Sequence, residues 1–315
     1  MKPRPLGRSG LQVAPLVFGG NVFGWTADEA MSFRLLDRFM DADFNMIDTA
    51  DAYSRWIPGN QGGESETIIG KWMAARGNRE RVLIATKFGM EMGEGEKGLS
   101  RAYMTRAVER SLDRLQTDYI DLYQAHRDDA DTPMEETLEA FSDLIRAGKV
   151  RVIGASNFSA ERLSQALETS AKLGLPRYES LQPNYNLYDR AEFEDGPQRL
   201  CESEDVGVIT YFSLASGFLT GKYRTEADLE GRPRAYRVRD MLNARGLRIL
   251  DALDAAAKEA HASPAQVSLA WLLTRPGVTA PIASATTPEQ LEELLGAVDL
   301  VLDPDSLSRL DRASA

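Results

Sequence analysis

The segment MIDTADAY at residues 46–53 carries the pattern that decides how this sequence folds. Its apolar start predicts a short buried strand that ends at Asp48, and Tyr53 follows a few residues later. A second apolar segment, VLIATK at residues 82–87, ends in the same way at Lys87. A charge at the end of one strand is common, because a chain that leaves the core meets solvent. The recurrence of the pattern is therefore the informative observation.

The third segment of this kind is YIDLYQAH at residues 119–126, which ends at His126. The spacing is regular, since 39 residues separate Asp48 from Lys87 and 39 separate Lys87 from His126. A strand, a helix and their connections occupy about 30 residues or more. The polar groups are therefore predicted to follow consecutive parallel strands at one common end. In a closed barrel this is the C-terminal end, where catalytic groups converge.

Short β-branched runs alternate with amphipathic helical patterns along the chain, as in parallel strand–helix–strand units. The predicted strands are residues 16–19, 45–48, 82–87, 119–124, 150–154, 180–183, 207–211 and 278–282. The predicted helices are residues 28–42, 64–76, 101–115, 134–147, 160–173, 191–203, 239–260 and 288–295, with a further helix at 264–273.

About eight strands and eight helices predict a single α/β domain over residues 1–315, a (β/α)8 TIM barrel with an N-terminal hairpin at residues 6–11 and extra C-terminal helices. A doubly wound open sheet has the same alternation, so the pattern alone leaves both folds open. The position of the glycines disfavours the open sheet. The GxGxxG-like run at residues 93–98 carries two glutamates where a pyrophosphate would bind, and it does not directly open a helix.

Composition argues against several classes of function. The 37 Lys and Arg residues against 48 Asp and Glu residues give a net charge of −11, which disfavours nucleic acid and anionic membranes as partners. No apolar run approaches the roughly 18 residues of a membrane span. The start of the chain lacks an apolar signal segment, so a cytoplasmic location is expected. The single cysteine, Cys201, cannot form an internal disulfide, and no Cys/His cluster predicts a metal site.

The sequence resembles the aldo-keto reductase superfamily, and most of all its bacterial and potassium-channel-β-subunit-like branches. The resemblance covers essentially the whole chain and rests on motifs in order: IDTA with Tyr53 at 47–53, ATK at 85–87, DLYQAHR at 121–127, GASNF at 154–158 and LTGKY at 219–223. It implies a (β/α)8 barrel that transfers a hydride between a nicotinamide cofactor and a carbonyl or alcohol.

The resemblance implies that Tyr53 is the proton donor and that Asp48, Lys87 and His126 complete a catalytic tetrad. Carbonyl reduction creates charge on oxygen, which needs a proton and preorganised donors. Tyrosine is a weak acid with a pKa of about 10, and an ammonium roughly 4 Å away contributes about 1 kcal/mol in water and about 4 kcal/mol at an effective dielectric of 20. Lys87 is therefore expected to lower the pKa of Tyr53 appreciably only in a pocket that excludes water. Neutral His126 would donate a hydrogen bond to the substrate oxygen.

The family lays an extended dinucleotide over the barrel mouth, and the resemblance implies the residues that would bind it. The nicotinamide would stack on Tyr211, and its amide would bind Ser156, Asn157 and Gln182. The other implied residues are Gly20, Asn21 and Asp48 near the first strands, Ser213, Leu214, Gly217 and Lys222 around the pyrophosphate, and Ala283, Ser284, Thr286, Gln290 and Glu293 around the adenosine. Phe212-Ser213 stands where the family commonly has Ser-Pro.

The cofactor preference depends on Thr286, which stands where many family members have Arg or Lys. Threonine can donate to a 2′-phosphate but cannot neutralise it, although the helix that begins near Pro288 offers backbone amides to an anion. NADPH is therefore expected to be preferred over NADH by a modest ratio.

The substrate is predicted to be a small carbonyl compound in a mixed aromatic and polar pocket lined by Trp25, Trp56 and Arg127. Sugar-derived aldehydes, aromatic aldehydes and bulkier ketones all fit this description. The arginine-rich loop of residues 232–239 is either solvated or a lid that contacts a cofactor phosphate or an anionic substrate. The alternative function is a regulatory or interaction subunit that keeps the tetrad on the same fold. The sequence does not predict the oligomeric state.

Overall fold

Eight parallel strands close into a barrel in the computed structural model, which describes residues 1–315. Strands β1 (Arg4–Pro5) and β2 (Gln12–Val13) precede it as an antiparallel hairpin. The barrel strands are β3 (Val17–Gly19), β4 (Met46–Asp48), β5 (Leu83–Phe88), β6 (Ile120–Ala125), β7 (Val150–Ser156), β8 (Ser180–Gln182), β9 (Gly207–Thr210) and β10 (Val278–Ala283). Strand β10 pairs with β3 and closes the sheet. The predicted (β/α)8 barrel with its N-terminal hairpin is thus confirmed.

Helices lie between the strands and cover the outside of the barrel. They are α1 (Glu29–Asp41), α2 (Glu64–Arg76), α3 (Arg101–Leu115), α4 (Met134–Arg146), α5 (Ala160–Leu173), α6 (Ala191–Glu194), α7 (Gln198–Glu204), α8 (Ala235–Val238), α9 (Ala244–Glu259), α10 (Pro264–Leu273), α11 (Pro288–Leu295) and α12 (Pro304–Ser314). Local chemistry fixes several starts. Ser263, for example, accepts from the Gln266 amide in a reciprocal capping box before Pro264.

Two helix predictions were wrong in extent. The predicted helix at 191–203 is divided into α6 and α7, because Pro197 has no N–H to continue the ladder. The predicted helix at 239–260 begins only at Ala244, after a 3-10 turn at Arg239–Met241. The Asn243 side chain accepts from the Gly246 amide and starts α9 there. Both breaks have local signals in the sequence, since Gly196-Pro197 marks a turn and Asn243 is a preferred N-cap residue.

The hairpin closes the N-terminal end of the barrel. Leu6, Leu11 and Val13 are buried in one apolar cluster with interior residues near the strand starts, such as Val17 and Met46. Removing this apolar surface from water stabilises the closed end. The C-terminal end of the barrel is therefore the end that stays available for a site.

Candidate functional site

A polar layer sits directly above the apolar interior of the barrel. Side chains alternate between the two faces of a strand, so a residue two positions beyond an interior residue also points inward. Met46 and Ala85 belong to the interior cluster, and two positions later Asp48 and Lys87 end the interior rows of β4 and β5. Leu122 on β6 is followed in the same way by Gln124.

Lys87 is the centre of this layer. Its Nζ donates to Asp48 Oδ2 at 2.7 Å, to the Thr49 carbonyl oxygen at 2.8 Å and to Tyr53 Oη at 2.8 Å. These three acceptors use the three N–H groups of an ammonium. Burial lowers the pKa of Lys87, and the charge of Asp48 and its hydrogen bond oppose that effect. These hydrogen bonds thus fix the lysine ammonium next to the phenol oxygen of Tyr53.

Tyr53 stands at the open side of the lysine. Its hydroxyl lies 3.3 Å from Asp48 Oδ2, to which it donates. Burial first, and then the negative charge of Asp48, hold the pKa of Tyr53 well above its usual value. The expected lowering of this pKa by Lys87 is therefore not found, because burial and Asp48 raise it. Tyr53 is therefore protonated at neutral pH and able to act as a donor.

His126 faces Tyr53 across the mouth, with ring centroids 6.2 Å apart. Burial, followed by the positive charges of Lys87 and Arg127, holds the pKa of His126 well below its usual value. The imidazole is therefore neutral at neutral pH and keeps one N–H to donate. Its buried Nδ1 has no hydrogen-bond partner.

The second carboxylate oxygen of Asp48 accepts hydrogen bonds from two glutamine side chains. Gln182 Nε2 donates to Asp48 Oδ1 at 2.8 Å, and Gln124 Nε2 donates to it at 3.4 Å. Gln124 Oε1 in turn accepts from Gln182 Nε2 at 3.3 Å. Sequence reasoning missed Gln124, although the interior alternation of β6 would have found it. These amides orient the carboxylate that anchors Lys87.

A buried charge network lies behind β5. Glu66 accepts from Thr86 Oγ1 at 2.5 Å and pairs with Arg114 Nε at 2.7 Å. Asp51 shares this environment, and its Oδ1 is buried without a hydrogen-bond partner beside a cavity of about 590 Å³. Burial, reinforced by the negative charge of Glu66 and opposed by Arg114, raises the pKa of Asp51 to about 8. Two carboxyl groups thus share one guanidinium, and Asp51 keeps its proton at neutral pH.

The residues predicted to hold a nicotinamide amide lie together beside the tetrad. Ser156 Oγ donates to the Gln182 carbonyl at 2.9 Å and accepts from Asn157 Nδ2 at 3.0 Å. Asn157 Oδ1 accepts from Tyr211 Oη at 2.7 Å. A planar ring with an adjacent amide group fits this chemistry, because Tyr211 offers an aromatic face and the others offer amide and hydroxyl groups.

The loop after β9 has a strained backbone. Phe212, Ala215 and Ser216 have φ values of 51°, 47° and 58°, and Gly217 has 96°. A non-glycine residue in this left-handed region costs about 1–2 kcal/mol, and such residues concentrate at binding sites. Turns of this kind bring backbone N–H groups together as anion sites. The Ser213 hydroxyl, in contrast, is buried and donates inward to the Thr210 carbonyl at 3.0 Å.

Cations surround the same loop. Lys222 Nζ lies 3.4 Å from the position that a Cβ on Gly217 would take. Burial lowers the pKa of Lys222, and the positive charges of Arg232 and Arg234 lower it further, while Glu293 opposes them. Two arginines of the arginine-rich loop are thus near Lys222, and the loop residues form the short helix α8 and flanking turns. Leu214 packs against the core at the base of this loop.

The residues predicted near the adenosine form two groups. In the first, Ser284 Oγ donates to Asn21 Oδ1 at 2.7 Å, close to Ala283 at the end of β10. A Cβ on Gly20 would lie 2.9 Å from Ser65 Oγ, so the close packing there requires glycine. The second group is formed by Thr286 and Gln290.

Gln290 Oε1 accepts from both the amide and the hydroxyl of Thr286, at 2.9 and 3.0 Å. Thr286 also lines a cavity of about 440 Å³ together with Thr26, Met31 and Arg34. Arg34 has no carboxylate oxygen within 4.0 Å and donates only to Met31 Sδ at 3.2 Å. Sequence reasoning missed this arginine, because α1 gives no local signal that it faces the end of β10.

The predicted pocket residues lie at the mouth. Trp25 and Trp56 meet edge to face with centroids 5.6 Å apart, and Trp56 stands 6.2 Å from Tyr53. Trp56 is 49% exposed, which is a large apolar surface for a side chain next to a polar centre. Arg127 is exposed beside His126. The mouth is therefore aromatic on one side and basic on the other.

Comparison with known proteins agrees with this geometry. The sequence profile of the Aldo/keto reductase family matches residues 15–315. The "Uncharacterized oxidoreductase YrpG" of Bacillus subtilis is 38% identical, over 97% of this chain and 94% of the relative. The "Probable voltage-gated potassium channel subunit beta" of Oryza sativa subsp. japonica is 33% identical, over 99% and 96%. The "L-glyceraldehyde 3-phosphate reductase" of Escherichia coli O157:H7 is 31% identical, over 99% and 92%.

The chain belongs to the aldo/keto reductase family. The family and its oxidoreductase relatives support an oxidoreductase, in a family that typically uses NAD(P)H. The relatives also include potassium channel β subunits. None of the helices combines the length and the apolar character that crossing a membrane requires.

Proposed function

We propose that this protein reduces an aldehyde or ketone with NADPH and that Tyr53 donates the proton. The observation that carries the proposal is the contact of Lys87 Nζ with both Tyr53 Oη, at 2.8 Å, and Asp48 Oδ2, at 2.7 Å. A lysine that already donates to the phenol oxygen stabilises the negative charge which develops there when the proton leaves. Its substrate would be a small carbonyl compound. The protein would be located in the cytoplasm.

The residues divide the work of the reaction. A bound nicotinamide coenzyme would supply the hydride to the carbonyl carbon. His126, neutral because of its lowered pKa, donates a hydrogen bond to the carbonyl oxygen. Tyr53 transfers its phenolic proton to the same oxygen and completes the alcohol. Asp48 keeps Lys87 charged and oriented throughout, and Gln124 and Gln182 hold Asp48.

The residues fit the cofactor in three places. Tyr211, Asn157, Ser156 and Gln182 offer an aromatic face and amide partners for the nicotinamide. The left-handed turns around Gly217, with Lys222 beside them, suit a pyrophosphate. Thr286, Gln290 and the start of α11 would hold the adenosine phosphate, and Asn21, Ser284 and Glu293 lie alongside.

The test of the reaction is a panel of aldehydes and ketones, followed at 340 nm with NADPH and with NADH. We expect turnover with at least one class of carbonyl, and near-complete loss of turnover in Tyr53→Phe with unchanged cofactor affinity. Tyr119→Phe is the matched control, because this tyrosine directly precedes β6, at the end of the barrel opposite the site. A Tyr53→Phe variant that keeps most of the wild-type kcat contradicts the assignment.

The expected preference for NADPH depends on hydrogen-bond donors at Thr286 and at the start of α11, and on the charge of Arg34. A helix N-terminus contributes only about 0.3–2 kcal/mol toward an anion, which is at most about thirtyfold in affinity. Arg34 would add charge from the wall of the adjoining cavity. We therefore expect a modest preference for NADPH. Titrations by tryptophan quenching should show tighter NADPH binding in Thr286→Arg and weaker NADPH binding in Arg34→Met. Equal affinities for NADPH and NADH in the native chain refute the preference.

A regulatory or interaction subunit is the second candidate, because a potassium channel β subunit shares 33% identity over 99% of this chain. The same panel separates the two functions. A protein that binds NADPH tightly but turns over no carbonyl supports the interaction subunit, whereas turnover that depends on Tyr53 supports the enzyme.

A further inference from the structure

Arginine side chains without an acidic partner gather at the mouth above the tetrad. Arg127, Arg234 and Arg237 lie there, and none of them has a carboxylate oxygen within 4.0 Å. Their neighbours differ, since Arg162 pairs with Asp128 at 2.8 Å and Arg239 pairs with Glu226 at 3.1 Å. Unpaired guanidinium groups are conspicuous in a chain with a net charge of −11.

Aromatic rings connect one of these arginines to the proton donor. The Arg234 guanidinium lies 5.2 Å from the centroid of the Trp25 ring. Trp25 is 5.6 Å from Trp56, and Trp56 is 6.2 Å from Tyr53. This wall leads without interruption from Arg234 to the tetrad.

The opposite wall carries the other two arginines. Arg127 directly follows His126 in the sequence, and its charge contributes to the low pKa of that imidazole. The Arg237 guanidinium lies 4.9 Å from the centroid of the Phe212 ring, and Phe212 meets Tyr211 at 5.0 Å. Burial raises the pKa of Tyr211 to about 12, while Arg127 and Arg237 both lower it. Both guanidinium groups therefore lie close to Tyr211.

The unpaired cations fall into two sets. Arg232 and Arg234 act on Lys222, on the side of the strained loop that suits the cofactor phosphates. Arg237 instead stacks on Phe212 beside Tyr211, and Arg127 directly follows His126, on the side where His126 and Tyr53 would meet the carbonyl oxygen. The phosphates of a bound cofactor would account for the first set, whereas a nicotinamide on Tyr211 has no negative charge and leaves the second set without an anionic partner.

We propose, on the basis of the proposed reductase function, that the carbonyl substrate carries an anionic group, a carboxylate or a phosphate, which Arg127 and Arg237 bind. A guanidinium binds either group through paired N–H donors. Arg237 stacks on Phe212, and its Nε donates to Tyr236 Oη at 3.0 Å, which leaves its two terminal nitrogens for such contacts. The acidic neighbours Glu192 and Asp189 also act on Tyr211, but neither lies within 4.0 Å of these arginines.

Two matched pairs of aldehydes test the proposal. The first is para-carboxybenzaldehyde against its methyl ester, and the second is glycolaldehyde phosphate against glycolaldehyde. We expect kcat/KM to be at least about tenfold higher for the charged member of one pair or both, which corresponds to about 1.4 kcal/mol. The advantage should shrink as salt screens the charges. A preference in one pair alone identifies the anion, and a charged member that is no better than its neutral partner in either pair overturns the proposal.

Variants identify the residues. Arg127→Met and Arg237→Met should each lower the charged-to-neutral ratio of kcat/KM by about fivefold or more. Arg199→Met is the matched control, since this arginine is exposed on α7 and has no carboxylate oxygen within 4.0 Å. Its ratio should stay within about twofold of wild type. An unchanged ratio in both test variants overturns the proposal, and a loss of NADPH affinity with that unchanged ratio assigns the two arginines to the cofactor.

The outcomes also separate this inference from the reductase function beneath it. If none of the four aldehydes, nor any compound of the wider panel, is reduced with either cofactor, the reductase function fails. If the kcat/KM of the neutral members equals that of the charged ones, the reductase function stands and only the anionic substrate is refuted.

Discussion

Replacing Lys87 with methionine tests the chemical centre of the site most directly. Lys87 Nζ lies 2.8 Å from Tyr53 Oη. At this distance a unit charge stabilises a full negative charge by about 1.5 kcal/mol in water and about 6 kcal/mol at an effective dielectric of 20. The Lys87 side chain is only 1% exposed, so the larger value applies. If the proton is between half and fully transferred in the transition state, the loss is about 3–6 kcal/mol, or about 10²–10⁴-fold in rate.

The assay is single-turnover reduction at 340 nm, with cofactor affinity measured on the same preparations. Lys71→Met is the matched control, since Lys71 pairs with Glu29 in an ion pair in which both side chains are about half exposed. The single variant leaves Asp48 as a buried charge without a cation, which costs about 3–5 kcal/mol of folding stability. The double variant Asp48→Asn/Lys87→Met removes that charge and should recover most of the stability without recovering the rate. A folded Lys87→Met protein whose rate falls less than threefold refutes the electrostatic role.

Three further predictions concern the network behind β5 and the end of α3. The raised pKa of Asp51, about 8 in the folded state, means that its stabilising contribution is complete below the unfolded pKa of about 4 and is lost as the pH rises to 8. The unfolding free energy of Asp51→Asn, relative to that of wild type, should therefore increase between pH 5 and pH 8 by at most about 4 kcal/mol. Guanidinium titrations at several pH values measure this difference, and a difference that does not change with pH refutes the prediction. Arg114→Met should lose about 3–5 kcal/mol, because Glu66 is fully buried, and Glu66→Gln in the same chain should restore most of it. Gln116→Gly should raise the melting temperature slightly, because Gln116 ends α3 with a φ of 52°.

Regular features of the sequence predicted the fold and the positions of the tetrad. The 39-residue spacing of Asp48, Lys87 and His126 reflects the length of one strand–helix unit. Residues one unit apart lie at the same end of consecutive parallel strands and are therefore close in space. Tyr53 lies only five residues after Asp48, the end of β4, so it is predicted at the same end of the barrel. Interior alternation would also have located Gln124, which the motif comparison passed over.

Loop chemistry could not be predicted in the same way. The positive φ of Phe212 and Ala215 arises from tertiary packing, since neither residue type favours that conformation. The closeness of Arg237 to Tyr211 depends on the path of the long loop after β9, which no local signal determines. Charges that act across loops therefore had to be seen in three dimensions.

The closed barrel has a practical consequence for redesign. Asp48 and Lys87 are positioned by backbone pairing between β4 and β5 within the closed barrel. Arg127 and Arg237 stand on separate loops that share no hydrogen bond with each other. If Arg127 and Arg237 bind the substrate as proposed, the residues for the reaction and the residues for substrate choice lie in different segments of the chain. A laboratory that changes the residues around Arg127 and Arg237, and keeps Gly217 and Lys222 for the cofactor, would alter which molecules bind and leave Asp48, Tyr53 and Lys87 in place.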